Sequence, residues 1–414
     1  MTPEIKQRIE QIRRGEVPEG YRYIRNSICP IDWTMKRVGD CIEEYREISN
    51  DIQSFPVYSS SRKGLVLQSE YYDQKKTEET NLGYKIVPNG YVTYRHMSDD
   101  DVFHFNINQT GGAILVSSEY PVFTSANGVA IGFLIPALND TVRFRYFCRT
   151  QKLGGTRTRL YLKNLSQYRL SVPCFQEQQK IAAILTTQEK VIELKEKRLA
   201  EKQRQKKYLM QQLLTGRKRL PGFSGEWKTE CLGNLFSERT ETNCEDLEML
   251  AITGTQGIIP RKELDLKDNS SDDKSKYLKV CVGDIGYNTM RMWQGVSAYS
   301  NYEGIVSPAY TILKPNSSVD AKYFAYLFKK QEVISLFYRF SQGLVDDTRN
   351  LKYENFKRIK VFYPPNIKEQ AAIAEVLTAA DREIDLLRQE IEQEKQKKKA
   401  LMQLLLTGIV RVNV

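Results

Sequence analysis

Histidine is scarce in this sequence of 414 residues, which contains only His96 and His104. A metal site built from several imidazoles is therefore excluded, and a Ser-His-Asp hydrolase triad has little support. The seven cysteines are scattered and include no Cys-x-x-Cys pair. That spacing argues against a zinc ribbon or a disulfide framework, and we expect reduced thiols in a cytoplasm.

Long apolar runs are also missing. No stretch approaches the roughly 18 apolar residues that span a bilayer. The first residues, MTPEIKQRIEQIRR, lack the apolar core of a signal peptide. The sequence therefore predicts a cytoplasmic protein with no membrane partner.

Catalytic motifs are missing as well. The sequence has no Walker A loop. A DNA adenine methyltransferase would need Asn or Asp before a Pro-Pro pair and an aromatic residue after it, but Pro364-Pro365 follows Tyr363 and precedes Asn366. Residues 263–267 (ELDLK) loosely resemble a nuclease fragment, but no Pro-Asp accompanies them upstream, so we expect surface charge there. We therefore expect no catalytic site and no metal site in this chain.

Positive charge is what the chain has in excess. Lys and Arg number 62 against 51 Asp and Glu, which gives a formal net charge of +11. Such an excess favours a polyanion partner, most often nucleic acid, whose binding depends strongly on salt. With 41% apolar and 10% aromatic residues the chain can build folded cores, and its length suits two to four domains.

An internal repeat organises the chain. A segment that begins at Pro173 and a segment that begins at Pro365 align without a gap at an offset of 192. Both contain a Glu-Gln pair near the start and end in Leu-Leu-Thr-Gly, whereas the stretches between them resemble each other only faintly. The order is therefore variable domain, repeated helix, variable domain, repeated helix. We expect the two variable domains to recognise two different targets.

Each repeated segment carries the apolar stripe of a coiled coil, in alternating steps of four and three residues. Polar residues interrupt the stripe in mid-helix, which leaves open whether they set the register, splay the helices or meet a partner. Gly216 and Gly408 fit the left-handed position that ends a helix. The apolar seam comprises Ile181, Leu185, Ile192, Leu199, Leu209, Leu213, Ile373, Leu377, Ile384, Leu387, Ile391, Leu401 and Leu405.

The length of these helices predicts how they pair. A helix of about 38 residues is roughly 57 Å long, whereas a domain of about 140 residues has a radius of gyration near 14 Å, about a quarter of that length. Such a domain cannot easily return the chain to its starting end. We therefore predict that the second helix runs antiparallel along the first, with the two globular domains at opposite ends and related by a pseudo-two-fold axis. The alternative is a coiled coil that joins two chains.

The predicted fold class is α/β (α+β): two globular domains with mainly antiparallel strands, separated by two long antiparallel coiled-coil helices. The predicted segments are an N-terminal helix and lead-in (1–19), a first globular domain (20–172), a central helix (173–216), a linker (217–226), a second globular domain (227–364), a C-terminal helix (365–408) and a tail (409–414).

Aromatic and basic residues interleave on predicted loops of both globular domains. Arg, Asn and Gln can make paired hydrogen bonds to base edges in the major groove, whereas Lys, Ser and Thr suit phosphates. The alternative for each residue is a solvated surface position or a turn. The candidate DNA contacts are Ser60, Ser61, Arg62, Lys63, Tyr94, Arg95, His96, Arg157 and Arg159 in the first domain, and Thr255, Gln256, Asn288, Arg291, Trp293, Gln294 and Arg349 in the second.

Several short motifs follow one another in a fixed order. They are Trp33 with Val38-Gly39-Asp40, Pro173 with Glu177-Gln178, Arg219-Leu220-Pro221-Gly222-Phe223 leading to Trp227, Pro364-Pro365 with Glu369-Gln370, and the twin Leu-Leu-Thr-Gly ends. This set resembles the specificity subunit of type I restriction–modification systems, over nearly the whole chain. The resemblance implies that each globular domain is a target-recognition domain that reads one half of a split, asymmetric DNA site, and that the helices set the spacing.

The resemblance also implies partners. They are double-stranded DNA, two modification subunits that dock on the helices, and a restriction subunit, in the cytoplasm of a bacterium or archaeon. S-adenosylmethionine would be bound by the modification subunit, ATP and Mg by the restriction subunit, and no cofactor by this chain, which would not be an enzyme itself. Two alternatives stay open: a nuclease or methyltransferase with an unrecognised motif, and a coiled-coil scaffold that joins two proteins.

Overall fold

Two helices of 39 residues are the longest elements of the structure, a computed structural model that describes residues 2–24, 27–68, 83–152, 156–254, 257–264 and 273–413. They span Phe175–Leu213 and Ile367–Leu405. Both lie inside the predicted helical segments, so the two repeated helices are confirmed. The candidates Thr255 and Gln256, and residues 265–267 of the nuclease-like fragment, lie outside the described residues.

The chain forms two compact units, and each long helix contributes to both of them. Unit 1 comprises Met1–Lys195 and Glu390–Val414, and unit 2 comprises Glu196–Gln389. Each unit therefore combines one globular domain with a part of each long helix. Among the described residues, we find no helix that is both long and apolar enough to cross a bilayer. All seven cysteines are free thiols.

Unit 1 contains a mixed α/β domain around an antiparallel sheet of four strands in the order β11-β9-β13-β4. Its elements are α1 (Pro3–Arg13), β1 (Tyr21–Ile24), β2 (Ser27–Pro30), β3 (Thr34–Arg37), β4 (Ile42–Glu44), β5 (Ile48–Ser49), β6 (Tyr58–Ser61), β7 (Gly64–Leu67), β8 (Tyr84–Val87), β9 (Val92–Tyr94), β10 (Met97–Ser98), β11 (Phe105–Ile107), β12 (Ile114–Val116), β13 (Val122–Ser125), α2 (Ile131–Asp140), α3 (Val142–Thr150), β14 (Thr158–Arg159), α4 (Leu162–Leu165), β15 (Arg169–Val172) and the first part of α5 (Phe175–Leu213).

Unit 2 contains a second mixed domain around the antiparallel sheet β22-β21-β24-β17. Its elements are the rest of α5, β16 (Lys228–Cys231), β17 (Phe236–Glu238), β18 (Leu250–Thr253), β19 (Gly257–Pro260), β20 (Leu278–Val280), β21 (Ile285–Asn288), β22 (Ser297–Tyr299), β23 (Gly304–Val306), β24 (Tyr310–Pro315), α6 (Ala321–Leu327), α7 (Gln331–Phe340), α8 (Tyr353–Phe356), β25 (Lys360–Tyr363) and the first part of α9 (Ile367–Leu405).

The two domains share one topology although their sequences differ. The sheet order β11-β9-β13-β4 of unit 1 corresponds element by element to β22-β21-β24-β17 of unit 2. The hairpin β6–β7 corresponds to β18–β19, and in both domains two helices, a short helix and a last strand follow the sheet. Every pairing between these strands is antiparallel. The predicted α/β class and the internal repeat are confirmed.

Within each unit the two long helices run antiparallel. In unit 1, Glu189 pairs with Lys398, and Lys195 Nζ lies 3.1 Å from the carboxylate of Glu390, so rising numbers on α5 meet falling numbers on α9. Gly216 and Gly408 have φ values of +71° and +72°, as predicted for the residue that ends each helix.

The polar residues of the predicted seam bond to acids on the opposite helix. Gln188 Nε2 donates to Glu394 at 2.7 Å in unit 1. In unit 2, Lys202 lies 2.8 Å from Glu383, and Lys206 donates to Asp381 at 2.5 Å. These pairs fix the register by hydrogen bonding where the apolar stripe is interrupted. Around them, Leu199, Leu209 and Leu401 are partly exposed, and the other predicted seam residues are buried.

Candidate nucleic-acid interface

The Glu of each repeated Glu-Gln pair holds an arginine that follows the end of the other long helix. In unit 1, Glu177 is 1% exposed and accepts two hydrogen bonds of 2.8 Å from the guanidinium of Arg411. In unit 2, Glu369 is 1% exposed and accepts bonds of 2.5 and 2.8 Å from Arg219. The guanidinium of Arg411 also lies over the ring of Trp33, and that of Arg219 lies over the ring of Trp227.

The Gln of each pair links the globular domain to the start of its long helix. The amide oxygen of Gln178 accepts from the N–H of Ala130 at 2.7 Å, and its NH₂ group donates to the Pro173 carbonyl at 3.0 Å. Gln370 repeats this arrangement with Asp320 and Pro364, at 2.8 and 2.9 Å. Both glutamines are buried, so satisfied hydrogen bonds hold the start of each long helix to the residue that precedes α2 or α6 of its domain.

Most predicted contacts of unit 1 gather in one place, which we call loop cluster 1. It consists of the tip of the β6–β7 hairpin (61–64), the connection between β9 and β11 (95–104) and the described end of the loop before β14 (156–159). Strand β10 in the connection pairs with β14, with Met97 opposite Arg159. Asp100 bonds to Arg62, and Asp99 lies 2.8 Å from Nε of Arg157. Three segments that are distant in sequence therefore meet.

The arginines of loop cluster 1 are available to a polyanion. Arg62 and Arg157 have exposed side chains, and so do their aspartate partners. Exposed ion pairs of this kind contribute little, typically below about 1 kcal/mol. A phosphate or a base edge can therefore replace the carboxylate. Arg95, Arg159 and Lys63 are exposed beside them.

Three predicted contacts of unit 1 are buried, which corrects their assignment. Tyr94 is fully buried and its hydroxyl donates to the Leu160 carbonyl at 2.9 Å. Ser60 is buried and its hydroxyl accepts from Asn106 at 2.8 Å. His96 is buried against the ring of Tyr161, and burial lowers its pKa, so the ring is neutral at pH 7. Ser61 is half-buried, and its hydroxyl donates to the Gly64 carbonyl at 2.9 Å.

The exposure of the chain just beyond β9 explains two of these corrections. β9 ends at Tyr94, and its three residues are all buried. Beyond it Arg95 is exposed and His96 is buried again, as expected where successive side chains of an extended segment point to opposite sides. A basic residue between an aromatic residue and a histidine is therefore the sequence signal that separates Arg95 from its two neighbours.

The described contacts of unit 2 gather at the equivalent place, which we call loop cluster 2. It consists of the last residue of β21 with the connection to β22 (288–296) and the loop after α7 (341–350). The N–H of Leu351 donates to the Thr289 carbonyl at 2.8 Å, as that of Leu160 does to the His96 carbonyl in unit 1. The ring of Trp293 packs edge-on against Tyr338, with centroids 6.0 Å apart.

Loop cluster 2 contains side chains with hydrogen-bond donors and, next to them, aromatic rings. Arg349 lies 4.0 Å over the Tyr338 ring and donates to its hydroxyl at 2.8 Å. Arg291 and Gln294 are exposed, and among the described residues no side chain bonds to the guanidinium of Arg291. Asn288 is half-buried and its side-chain oxygen accepts from the N–H of Met290 at 3.0 Å, so it shapes the turn.

Sequence reasoning missed several members of both clusters. In unit 1 these are Asp99, Asp100 and Asp101, which hold Arg157, Arg62 and the Thr158 hydroxyl. A run of acids repels phosphate, so it gave no sign of a DNA-binding site. In unit 2 they are Tyr338 and the exposed tip residue Leu344. The connection after β9 therefore carries carboxylates, whereas the equivalent connection after β21 carries Arg291, Trp293 and Gln294.

Comparisons with known proteins agree on one family. The family model described as type I restriction modification DNA specificity domain matches residues 30–202 and 233–396. The putative type I restriction enzyme MjaX specificity subunit of Methanocaldococcus jannaschii is 22% identical, over 96% of this chain and 95% of the relative.

Two solved structures share the fold. The S subunit of the type I restriction–modification system from M. genitalium matches with a TM-score of 0.56 and 12% identity, over 95% of this chain and 98% of that one. A chain from a study of complex assembly and conformational transition of the type I R-M system matches with a TM-score of 0.53 and 14% identity, over 94% of this chain and 100% of that one.

Proposed function

Because the chain belongs to the family of type I restriction–modification DNA specificity domains, we propose that it is the DNA specificity subunit of such a complex. Each recognition domain reads one half of a bipartite, asymmetric site through its loop cluster. The observation that carries this proposal is that equivalent loop clusters bear different chemistry. The connection after β9 carries Asp99 and Asp100, whereas the connection after β21 carries Arg291 and Gln294. One fold with unlike side chains at one position suits two unlike half-sites.

The repeated helices support a proposal about protein partners. Exposed apolar residues recur at repeat-equivalent positions: Leu194 and Leu386 on the outer helix faces, and Phe175 and Ile367 at the helix starts. Two copies of one surface suit two copies of one partner. We therefore infer that two modification subunits dock on these helices. They would supply S-adenosylmethionine and methylate adenine, and a restriction subunit would add ATP- and Mg-dependent activity.

The test of this function is methyl transfer by reconstituted complexes. We expect the purified chain alone to transfer no methyl group, since its sequence lacks the loop that holds a flipped adenine. Mixed with its modification subunit, it should direct methylation to one two-part asymmetric site, read out by sequencing methylated DNA. Methyl transfer by the chain alone, or methylation without a two-part pattern, would contradict the proposal.

Substitution of Arg291 by Ala tests the role of loop cluster 2. The exposed guanidinium can make paired bonds to guanine, a contact that typically contributes about 1–3 kcal/mol of discrimination. We expect Arg291→Ala to weaken discrimination at one half-site by about tenfold or more and to leave the other half-site unchanged. Competition binding with either half scrambled measures this.

Arg388→Ala is the matched control, because Arg388 is an exposed arginine on α9 that pairs only with exposed Asp385 among the described residues. It should leave discrimination at both half-sites intact. Equal losses at both half-sites in the Arg291 variant would mean that Arg291 makes only general phosphate contacts.

A further inference from the structure

Lys329 stands between α6 and α7, next to loop cluster 2, and its side chain is half-buried. Its Nζ donates to the carbonyl of Gly295 at 2.6 Å. Gly295 closes the turn Met292–Gln294 with a left-handed φ of +79°. The bond therefore joins the helical layer of the domain directly to the turn that presents Arg291 and Gln294.

Other side chains restrain the start of the turn: Asn288 Oδ1 accepts from the N–H of Met290 at 3.0 Å, and Trp293 Nε1 donates to the Met290 carbonyl at 2.9 Å. At the end of the turn, the N–H of Gly295 donates to the Met292 carbonyl at 2.7 Å, and the Gly295 carbonyl accepts from the N–H of Ser297 at 3.0 Å. A Cβ on residue 295 would lie 2.8 Å from Cδ1 of Ile334, so the glycine is packed tightly against α7. Lys329 supplies a charged donor at this closing residue, and hydrogen bonds to charged groups are the stronger ones.

A half-buried ammonium group without a carboxylate partner carries an energetic cost that packing alone would not require. Among the described residues no carboxylate pairs with Lys329, and the one charged group that acts on it is the like charge of Lys206. Burial and the charge of Lys206 lower the pKa of Lys329 to about 8. A methionine could fill similar space without this charge. Departures from the stabler choice concentrate at functional sites.

We propose that Lys329 is a positioning residue for sequence discrimination: by holding the Gly295 carbonyl, it fixes the turn from which Arg291 and Gln294 reach the DNA. The inference rests on the proposed function. Lys329 acts through the turn and does not contact DNA itself. Its loss should therefore affect discrimination at the half-site that unit 2 reads, and not discrimination at the other half-site.

The test uses the full chain with its modification subunit and DNA carrying the site found by methylation sequencing. We expect Lys329→Met to reduce discrimination between the correct and scrambled second half-site about tenfold, with discrimination at the first half unchanged. Lys329→Arg keeps a charged hydrogen-bond donor and should retain most of the discrimination at the second half-site. Lys330→Met is the matched control, since Lys330 lies 3.8 Å from exposed Glu332, and it should behave as wild type.

The outcomes separate the inference from the proposed function. Equal discrimination by Lys329→Met and wild type, or equal values for the Met and Arg variants, would overturn the positioning role. A loss at both half-sites together with a lowered melting temperature would also overturn it, because it would show a purely structural role. If the wild-type complex itself shows no two-part specificity, the proposed function fails whatever Lys329 does.

Discussion

Deletion of residues 192–198 together with residues 384–390 is expected to shorten the gap between the two half-sites while each half-site keeps its sequence. Both segments lie inside the long helices, each of which continues from one unit into the other. Seven residues correspond to about 10 Å of helix, which matches at most about three base pairs at 3.4 Å each. The original site should lose specific methylation, and a site with a shorter gap should gain it.

A deletion in only one helix is the control for this experiment. Removing 192–198 alone shifts α5 against α9, so pairs such as Lys206–Asp381 and Glu189–Lys398 cannot both persist. That variant should lose stability and specificity together. The double deletion removes one heptad from each helix and keeps the seam in phase to about 20°. An unchanged gap in a folded double-deletion variant would show that the helices do not set the spacing.

The long helices could be predicted from the sequence because their signal is local and repeated. The seam from Ile373 to Leu405 follows steps of three and four residues within a helix of 39 residues, and Gly408 marks the end of that helix. What the interrupting polar residues do could not be predicted. Lys195 bonds to Glu390 and Glu394, and such pairings depend on the antiparallel register of a segment almost 200 residues away.

The loop clusters could be predicted only in part. Exposed Arg and Lys residues were identified by type, but their neighbours are set by long-range pairing, such as Met97 opposite Arg159. The burial of Tyr94 and the support from Lys329 depend in the same way on packing between elements that are far apart in sequence. Residue type therefore indicates which side chains can contact DNA, and the sheet determines which of them reach the surface.

Substitution of Arg219 by Met is expected to lower the free energy of unfolding by about 3–5 kcal/mol. Arg219 is the paired partner of Glu369, whose side chain is 1% exposed. Without the guanidinium, a buried carboxylate loses its charge-assisted bonds. The guanidinium also lies over Trp227, so denaturant unfolding followed by tryptophan fluorescence reports on this site. Arg204→Met, which removes an exposed partner of Glu201 on α5, should change the free energy of unfolding by less than about 1 kcal/mol.

A second substitution distinguishes the buried pair from simple loss of packing. In the double variant Arg219→Met with Glu369→Gln, the buried group is neutral, so much of the lost stability should return. The equivalent pair in unit 1, Arg411 with Glu177, should respond in the same way. If Arg219→Met is as stable as Arg204→Met, the Glu of the repeated motif does not stabilise the junction of helix and domain. The motif would then have to be explained by contacts with a partner subunit.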